Sequence, residues 1–307
     1  VDLGDGILCL EVHTKMNTID PDVVKMMNEA VEIAEKDYRG LVIANDGEHF
    51  GAGANIFMVL MSANMGAFDQ VDTMVAELQA ALQRFRFCSV PVVAAPHSLT
   101  LGGGAEIAMA ADACHAYAET YMGLVEVGVG LVPAGGGCKE LLWRWTQSNE
   151  GKKDPDFGPL KVFDIIGYAK TATSPQEAKP LLFLDTNHEV IINRNNLLPI
   201  ARSFIEKNSN FKPPQNCNFK LSGEKVRKKM EKILDDLYNS QKIKDHGMIV
   251  GKELSYVLSG GDTDLSKEIS EDQMYKLELE SFMKLLETEN TQKRITHTLK
   301  TGKPLIN

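Results

Sequence analysis

The chain has 307 residues, of which 43% are hydrophobic and 24% charged, and its formal net charge is -9. This composition is typical of a globular protein, and the acidic balance argues against nonspecific binding to nucleic acid, which needs clustered basic residues. No apolar run approaches the roughly 20 residues that span a bilayer. We therefore expect a cytoplasmic protein without a membrane span, long enough for one large domain with an appended part.

The cysteines are few and scattered, without the paired spacing of a zinc site or a disulfide framework. They are Cys9, Cys88, Cys114, Cys138 and Cys217. We expect reduced thiols and no bound metal. Cys138 adjoins a glycine cluster, but no histidine or other base stands at a telling spacing from it, so we do not expect it to be a nucleophile.

The first third of the chain alternates short apolar runs with segments of helical spacing. The predicted elements are a strand at 7–12, a helix starting at Asp20 and Pro21, a strand at 40–44, a glycine-rich loop at 45–55, an amphipathic helix at 68–87 and a strand at 92–95. Strands that alternate with helices in this way predict an α/β fold with parallel strands.

The remainder of the chain is predicted to become helical. A polar segment at 145–160 is predicted to be a loop, and Ser174 to Glu177 has the pattern of a capping box that opens a helix. Helical spacing also occurs at 195–206, 226–237, 274–286 and 292–299, with a linker at 208–223. We therefore predict an α/β core at 1–190 and a helical C-terminal region at 191–307.

The run from Ser98 to Leu142 is the most informative part of the chain. Its triplet Gly102–Gly104 opens a short apolar helix with Glu106 in the first turn, and Glu126 and a second cluster, Gly135–Gly137, follow. Amides at a helix start stabilise developing negative charge, and two carboxylates can share acid and base work. The run indicates chemistry next to a carbonyl, although tight turns with surface carboxylates would give the same pattern.

Four motifs together resemble the crotonase (enoyl-CoA hydratase/isomerase) superfamily. They are AGAN at 52–55, GGGAE at 102–106, MGLVE ending at Glu126, and PAGGG at 133–137. The resemblance implies the ClpP/crotonase spiral of ββα units with an α-helical C-terminal region. Segments 250–262 and 293–307 resemble the crotonase part of bacterial 3-hydroxyacyl-CoA dehydrogenase/enoyl-CoA hydratase proteins. This implies that a dehydrogenase domain precedes the chain in a longer polypeptide.

The same resemblance assigns roles to individual residues. The amides of Ala54 and Gly103 would form the oxyanion hole, Glu106 would activate water at Cβ, and Glu126 would exchange a proton at Cα of an enoyl-CoA. Residues implied to contact the acyl-CoA thioester are Lys15, Ala52, Asn55 and Ile56. No cofactor is implied, because coenzyme A is part of the substrate. A trimer-type homo-oligomer is implied.

Two departures from the family pattern bear on substrate binding and rate. Asn55 replaces the usual aspartate after AGA, and Leu124 and Val125 stand where hydratases often have Gln-Pro. An isomerase is one alternative, but isomerases commonly keep only the later glutamate. A noncatalytic acyl-CoA-binding scaffold is the other, and it has no need of both glutamates. We expect hydratase activity.

Other side chains near these motifs are predicted to have structural roles. His49 and His97 adjoin the two loops of the implied oxyanion hole but match no catalytic position of the family. A methionine cluster is predicted to pack in a pocket or in the core. Its members are Met58, Met61 and Met65.

Overall fold

The computed structural model describes residues 1–185, 189–262 and 268–307. The strands are β1 (Ile7–Leu10), β2 (Gly40–Ile43), β3 (Val92–Ala94), β4 (Ser98–Leu101), β5 (Ala113–Cys114), β6 (Ala116–Tyr117), β7 (Thr120–Gly123), β8 (Val190–Ile191), β9 (Asn218–Phe219) and β10 (Ile269–Ser270). The helices up to residue 178 are α1 (Pro21–Asp37), α2 (Ile56–Asn64), α3 (Phe68–Arg86), α4 (Gly103–Ala110), α5 (Gly137–Thr146), α6 (Asn149–Lys153), α7 (Phe157–Gly167) and α8 (Pro175–Ala178). The later helices are α9 (Leu197–Lys207), α10 (Glu224–Asn239), α11 (Asp245–Leu258), α12 (Glu271–Leu286) and α13 (Glu289–Thr301).

A parallel sheet in the order β1-β2-β3-β5 forms the core. Its strands are short, continuous runs of buried apolar residues, as expected when a parallel sheet is covered on both faces. The register pairs Leu8 with Leu41, Val42 with Val93, and Ala94 with Cys114. Two further strand pairs, β4-β7 and β6-β8, are also parallel. The predicted α/β fold with parallel strands and a helical C-terminal region is confirmed.

The described residues form two compact units whose segments are interleaved along the chain. The first unit comprises 1–55, 77–124 and 171–215, and the second comprises 56–76, 125–170 and 216–307. This division differs from the single predicted boundary after residue 190. The physical reason is that α9 buries Leu197, Ala201 and Ile205 in the same apolar cluster as strand residues Val42 and Val93.

The segment at 145–160, predicted to be a loop, contains α6 and the start of α7, so this prediction was wrong. The Ser148 hydroxyl accepts a hydrogen bond of 3.0 Å from the amide of Gly151 and caps α6. Asp156 is buried and accepts a bond of 2.6 Å from Lys229 Nζ of α10. Polar composition therefore reflects capping and an ion pair here, and not a lack of helix.

Two helix starts agree with the sequence signals. Asp20 Oδ1 accepts a bond of 2.9 Å from the amide of Val23 at the start of α1. Ser174 Oγ accepts one of 3.3 Å from the amide of Glu177 at the start of α8. The Glu177 carboxylate turns to the amide of Thr173 instead of closing the predicted capping box. Among the described residues, no helix is both long and apolar enough to cross a membrane.

Candidate active site

The loop at 50–55 is fixed in the first unit by backbone hydrogen bonds on two sides. On one side, the amide of Gly51 donates to the carbonyl of Leu99 and the carbonyl of Gly51 accepts from Leu101, at 3.0 and 2.9 Å. On the other side, Ile19 bonds to the carbonyl of Gly53 and the amide of Asn55, at 2.9 and 2.8 Å. The loop is therefore held in strand-like register although it belongs to no strand.

This register brings the amides of Ala54 and Gly103 to one place. Because Ile19 bonds to the residues before and after Ala54, the amide of Ala54 points away from Ile19. A Cβ built on Gly103 would lie 3.5 Å from Ala54 N, and one built on Gly53 would lie 3.7 Å from Gly103 N. Within residues 1–185, 189–262 and 268–307, neither the Ala54 nor the Gly103 amide donates to a protein acceptor.

Glycine is required at this approach for steric reasons. Gly53 has a φ of +100°, which L side chains rarely adopt, and a Cβ there would lie 3.3 Å from the carbonyl oxygen of Leu101. A Cβ on Gly104 would overlap the backbone of Gly51. The two loops therefore meet backbone to backbone, and a side chain at Gly53 or Gly104 would force them apart.

Glu106 lies in the first turn of α4, directly after these amides. Its side chain is buried and its amide bonds to the carbonyl of Gly102 at 3.0 Å. The positive end of the helix dipole favours the ionised form of a carboxyl at this position. The structure therefore places a buried glutamate in the first turn of the helix that Gly103 opens, as the sequence predicts.

The loop with Lys15 is joined to the same region. The amide of Ala52 donates to the carbonyl of Met16 over 3.2 Å, and Asn17 Nδ2 donates to the carbonyl of His49 over 2.7 Å. Met16 and Asn17 both have positive φ, and the side chain of Lys15 is exposed. The bond from Ala52 to Met16 thus joins the loop of Lys15 to the loop of Ala52, and the contact of both residues with coenzyme A stays a prediction.

The two histidines brace the loop at 45–50. His49 Nδ1 lies 2.9 Å from Ser98 Oγ, and Arg194 Nη2 donates both to the carbonyl of Gly47 and to His97 Nε2, at 2.6 and 2.8 Å. Burial, and secondarily Arg194, lower the pKa of His97. The sequence analysis missed Arg194, whose partner lies 147 positions away.

A cavity of about 390 Å³ opens where β1, β2 and β3 end, and Glu11, Asp46 and Arg194 are among its lining residues. None of the predicted site residues lines this cavity. Carboxylates of both Glu11 and Asp46 make it an unfavourable environment for an anionic thioester. We therefore do not assign the cavity to the predicted chemistry.

Glu126 and Ile56 belong to the second unit. Ile56 is the first residue of α2 and is half-buried. Glu126 opens a 3₁₀ helix, Glu126–Val129, that ends at Gly130 in the left-handed conformation. The Glu126 side chain is half-buried and its Oε2 atom is shielded from solvent. The predicted loss of solvation at this carboxyl is therefore partial.

The second glycine cluster, Gly135–Gly137, differs from the first because amides at its helix start have a hydrogen-bond partner in the protein. The carboxylate of Glu278 accepts hydrogen bonds from the amides of Gly136 and Lys139 at the start of α5, at 2.7 and 2.6 Å. The start of α5 therefore already has an anion of the protein itself. Beside it, the buried Lys139 ammonium lies 2.7 Å from Glu271 and 3.2 Å from Glu140. None of these three glutamates was predicted from the sequence.

The remaining predictions concern sulfur. Met61 and Met65 are 42% and 68% exposed, so they do not pack in the core, and their place in a pocket stays a prediction. The inner face of α2 is formed by Val59 and Leu60. All five cysteines are buried, and no disulfide joins any two of them within the described residues. Cys138 donates to a backbone carbonyl over 3.6 Å. Among the described residues, no group of three His, Cys, Asp or Glu side chains could coordinate a metal ion.

Known proteins resemble this chain in sequence and in fold. A family model described as Enoyl-CoA hydratase/isomerase matches residues 4–147. A Bacillus subtilis protein named Probable 3-hydroxyacyl-CoA dehydrogenase is 35% identical over the whole chain, which covers 39% of that protein. The Fatty acid oxidation complex subunit alpha of Shewanella frigidimarina is 33% identical over 46% of the chain and 20% of its own length.

The chain thus spans about two fifths or less of the length of these curated relatives. Among solved structures, an enoyl-CoA hydratase from Bacillus halodurans has a TM-score of 0.65 at 15% identity, covering 96% of this chain and 98% of that one. At this identity the match shows the fold alone, and it agrees with the predicted spiral of ββα units.

Proposed function

Since the chain belongs to the enoyl-CoA hydratase/isomerase, or crotonase, superfamily, we propose that it hydrates trans-2-enoyl-CoA esters in fatty-acid β-oxidation. The observation that carries the proposal is the pair of amides of Ala54 and Gly103, which approach each other without a protein acceptor in the described residues. Two converging amides stabilise the negative charge that a thioester oxygen acquires during addition to the double bond.

The chemistry that follows from this arrangement needs a base and a proton donor. Attack of water at Cβ places negative charge on the thioester oxygen, where the Ala54 and Gly103 amides would bind it. Glu106 would accept the proton of the attacking water, since its position at a helix start favours the anion. Glu126 would deliver a proton to Cα, so that one water is added across the double bond and no net charge is left.

Hydration involves no oxidation or reduction and does not require a metal ion, so we propose that no cofactor is needed. The acyl-CoA thioester would approach the loops at Lys15, Ala52 and Asn55 and the start of α2 at Ile56. The basic side chain of Lys15 is exposed and available to a phosphate of coenzyme A. The cytoplasm remains the proposed location.

The test compares the wild-type chain with Glu106→Gln and Glu126→Gln, using the loss of conjugated enoyl absorbance of a trans-2-enoyl-CoA. Loss of a general acid or base should lower kcat about 100-fold or more in each variant. Glu29→Gln changes an exposed glutamate of α1 and is the matched control. Full activity of either site variant would contradict the assignment of that glutamate.

The same variants separate hydration from isomerisation and from mere binding. An isomerase would convert a 3-enoyl-CoA, would tolerate Glu106→Gln and would lose activity in Glu126→Gln. A noncatalytic scaffold would bind the thioester with no turnover in the wild type. Activity on the 2-enoyl ester that depends on both glutamates would exclude both alternatives.

We also propose that the chain acts beside a dehydrogenase within a longer polypeptide. Support comes from the Bacillus subtilis relative, whose name describes a 3-hydroxyacyl-CoA dehydrogenase and of which this chain covers 39%. Hydration of an enoyl-CoA yields the 3-hydroxy ester that such an enzyme oxidises. An antibody raised against the chain should detect a clearly larger polypeptide in source cells, whereas a band of 307-residue size would contradict the proposal.

Homo-oligomer formation, of the trimer type, is likewise proposed from the family. Light scattering coupled to size-exclusion chromatography should give three times the mass of one chain. A monomer that retains full hydratase activity would contradict this part of the proposal.

A further inference from the structure

The turn that carries Glu126 is bonded to helix α13 at two points within the second unit. The Thr291 hydroxyl donates to the carbonyl oxygen of Gly130 over 2.8 Å. Arg294 Nη1 donates to the carbonyl oxygen of Val127 over 3.2 Å. Since Val127 follows Glu126 directly and Gly130 ends the turn, both bonds act on the short backbone segment that orients the carboxylate.

His246 of α11 completes this arrangement. Its Nε2 atom lies 2.8 Å from Thr291 Oγ1. Because the Thr291 hydroxyl proton points to Gly130, the Thr291 oxygen accepts from His246 Nε2, which assigns the ring proton to Nε2. His246 Nδ1 is buried and has no hydrogen-bond partner within the described residues. We refer to His246, Thr291 and Arg294 as the Thr291 cluster.

The cluster is packed tightly against the end of the turn. A Cβ on Gly130 would lie 3.0 Å from Thr291 Oγ1, 3.1 Å from Arg294 Cδ and 3.2 Å from His246 Nε2, and φ at Gly130 is +85°. Arg294 Nε donates in turn to Asn307 Oδ1 over 2.7 Å, which restrains the guanidinium from its far side. The cluster therefore lies directly against Gly130, and any movement of the turn towards α13 would meet these three side chains.

Burial makes these contacts costly unless they are made with good geometry. His246 and Thr291 are fully buried and Arg294 is 7% exposed. Apolar side chains would pack a helix against a turn without this desolvation cost, but they would not fix the orientation of the carbonyls. A buried polar network of this type specifies one backbone geometry where packing alone would allow several.

We propose that the Thr291 cluster is a set of positioning residues that hold the Glu126 carboxylate in the orientation needed for proton exchange at Cα. This inference rests on the proposed hydratase function, because it concerns the same glutamate. None of the three side chains is a catalytic residue, since the contacts described are with the backbone of the turn. Their effect on turnover acts entirely through the geometry of Glu126.

The test uses Thr291→Val, which keeps the shape of the side chain and removes the bonds to Gly130 and His246. We expect kcat to fall about 10- to 100-fold, since displacements of about 1 Å near a reacting group cost rates of that order. KM should change less than about threefold, because positioning affects the chemical step more than binding. Thr291→Ser keeps the hydroxyl and should retain wild-type kcat.

A matched control is available on the same helix. Thr296 Oγ1 donates to the carbonyl of Gln292 at 2.8 Å, which is a bond within α13 and the one side-chain bond of Thr296 among the described residues. Thr296→Val should therefore leave kcat unchanged. If Thr291→Val does not fold, Arg294→Lys is the second variant: a single ammonium cannot replace the fork that reaches Val127 and Asn307 together. It should lower kcat about 3- to 10-fold, on the same displacement argument.

Hydrogen exchange gives a readout that does not depend on activity. The amides of Gly128, Gly130 and Leu131 bond within the turn, at 2.9, 3.1 and 3.1 Å. Thr291→Val should speed their exchange, and Thr291→Ser and Thr296→Val should not. Faster exchange with unchanged kcat, or lower kcat with unchanged exchange, would each overturn the inference. A wild-type chain without turnover would instead contradict the proposed function, while exchange would still decide whether the cluster orders the turn.

Discussion

Gly104→Ala tests the contact between the two loops that bring the Ala54 and Gly103 amides together. A Cβ on Gly104 would overlap the carbonyl oxygen of Gly51 and would fall about 1 Å short of the 3.4 Å at which ordinary van der Waals contact begins. The obstacle is backbone, so it cannot rotate away. The loop at 50–55 must therefore move by about 1 Å, and Ala54 must move with it.

The expected loss follows from this displacement. Since about 1 Å of misplacement costs about 100-fold in rate, this displacement predicts a fall in kcat of up to about 100-fold. Overpacking should destabilise the protein by about 1–3 kcal/mol, offset in part by up to about 1 kcal/mol from replacing a helical glycine. Hydration kinetics and urea unfolding measure the two effects separately.

Gly167→Ala is the matched control for Gly104→Ala. Gly167 is also helical, and a Cβ there would meet Leu254 at an ordinary 3.8 Å. It should keep wild-type kcat and gain up to about 1 kcal/mol in stability. If Gly104→Ala showed wild-type kcat and wild-type stability, the argument that backbone contact fixes the amide pair would be refuted.

Three further predictions concern buried ionisable groups. Burial lowers the pKa of His246 to about 4. The neutral ring should therefore contribute fully to stability above pH 6.5, and this contribution should be lost as pH falls towards 4. Over this range the free energy of unfolding of the wild type in urea should fall by about 3 kcal/mol, and that of His246→Gln should not. Burial raises the pKa of Asp112 from 3.8 to about 7, so the free energy of unfolding should fall as pH rises from 3.8 to about 7 and should then level off. Asp112→Asn should be more stable than wild type at pH 8 but not at pH 3.5. Lys139→Met leaves the buried Glu271 without its cation and should cost about 3–5 kcal/mol in urea unfolding, whereas exposed Lys25→Met should cost less than about 1 kcal/mol.

Local signals account for the features that the sequence predicted well. The start of α1 follows from Asp20 and Pro21, because the cap and the proline act within one turn of chain. The parallel core follows from short apolar runs separated by helices. The loop at 145–160 was predicted wrongly because its polar residues serve as a cap and as an ion-pair partner, and composition alone does not distinguish these uses.

Other features depend on partners far apart in the chain. The bond from Gly136 to Glu278 joins residues 142 positions apart, and that from Thr291 to Gly130 joins residues 161 apart. Glu278 and Thr291 occupy helices whose periodicity indicates only which face is apolar. Nothing local marks a glutamate as the partner of a distant helix start, so the sequence predicted the glycine cluster and missed the anion that binds to it.

The interleaving of the two units has a consequence for the order in which the chain folds during synthesis. The core sheet is complete in strands by residue 114, but the residues of α9 that cover it, Leu197 to Ile205, are made much later. Until then the growing chain exposes an apolar sheet face that is prone to aggregation. In the meantime the ribosome must also release 125–170, which belongs to the other unit. Neither unit can therefore be obtained by simple truncation at one end, and nascent chains that end before residue 215 should depend on chaperones.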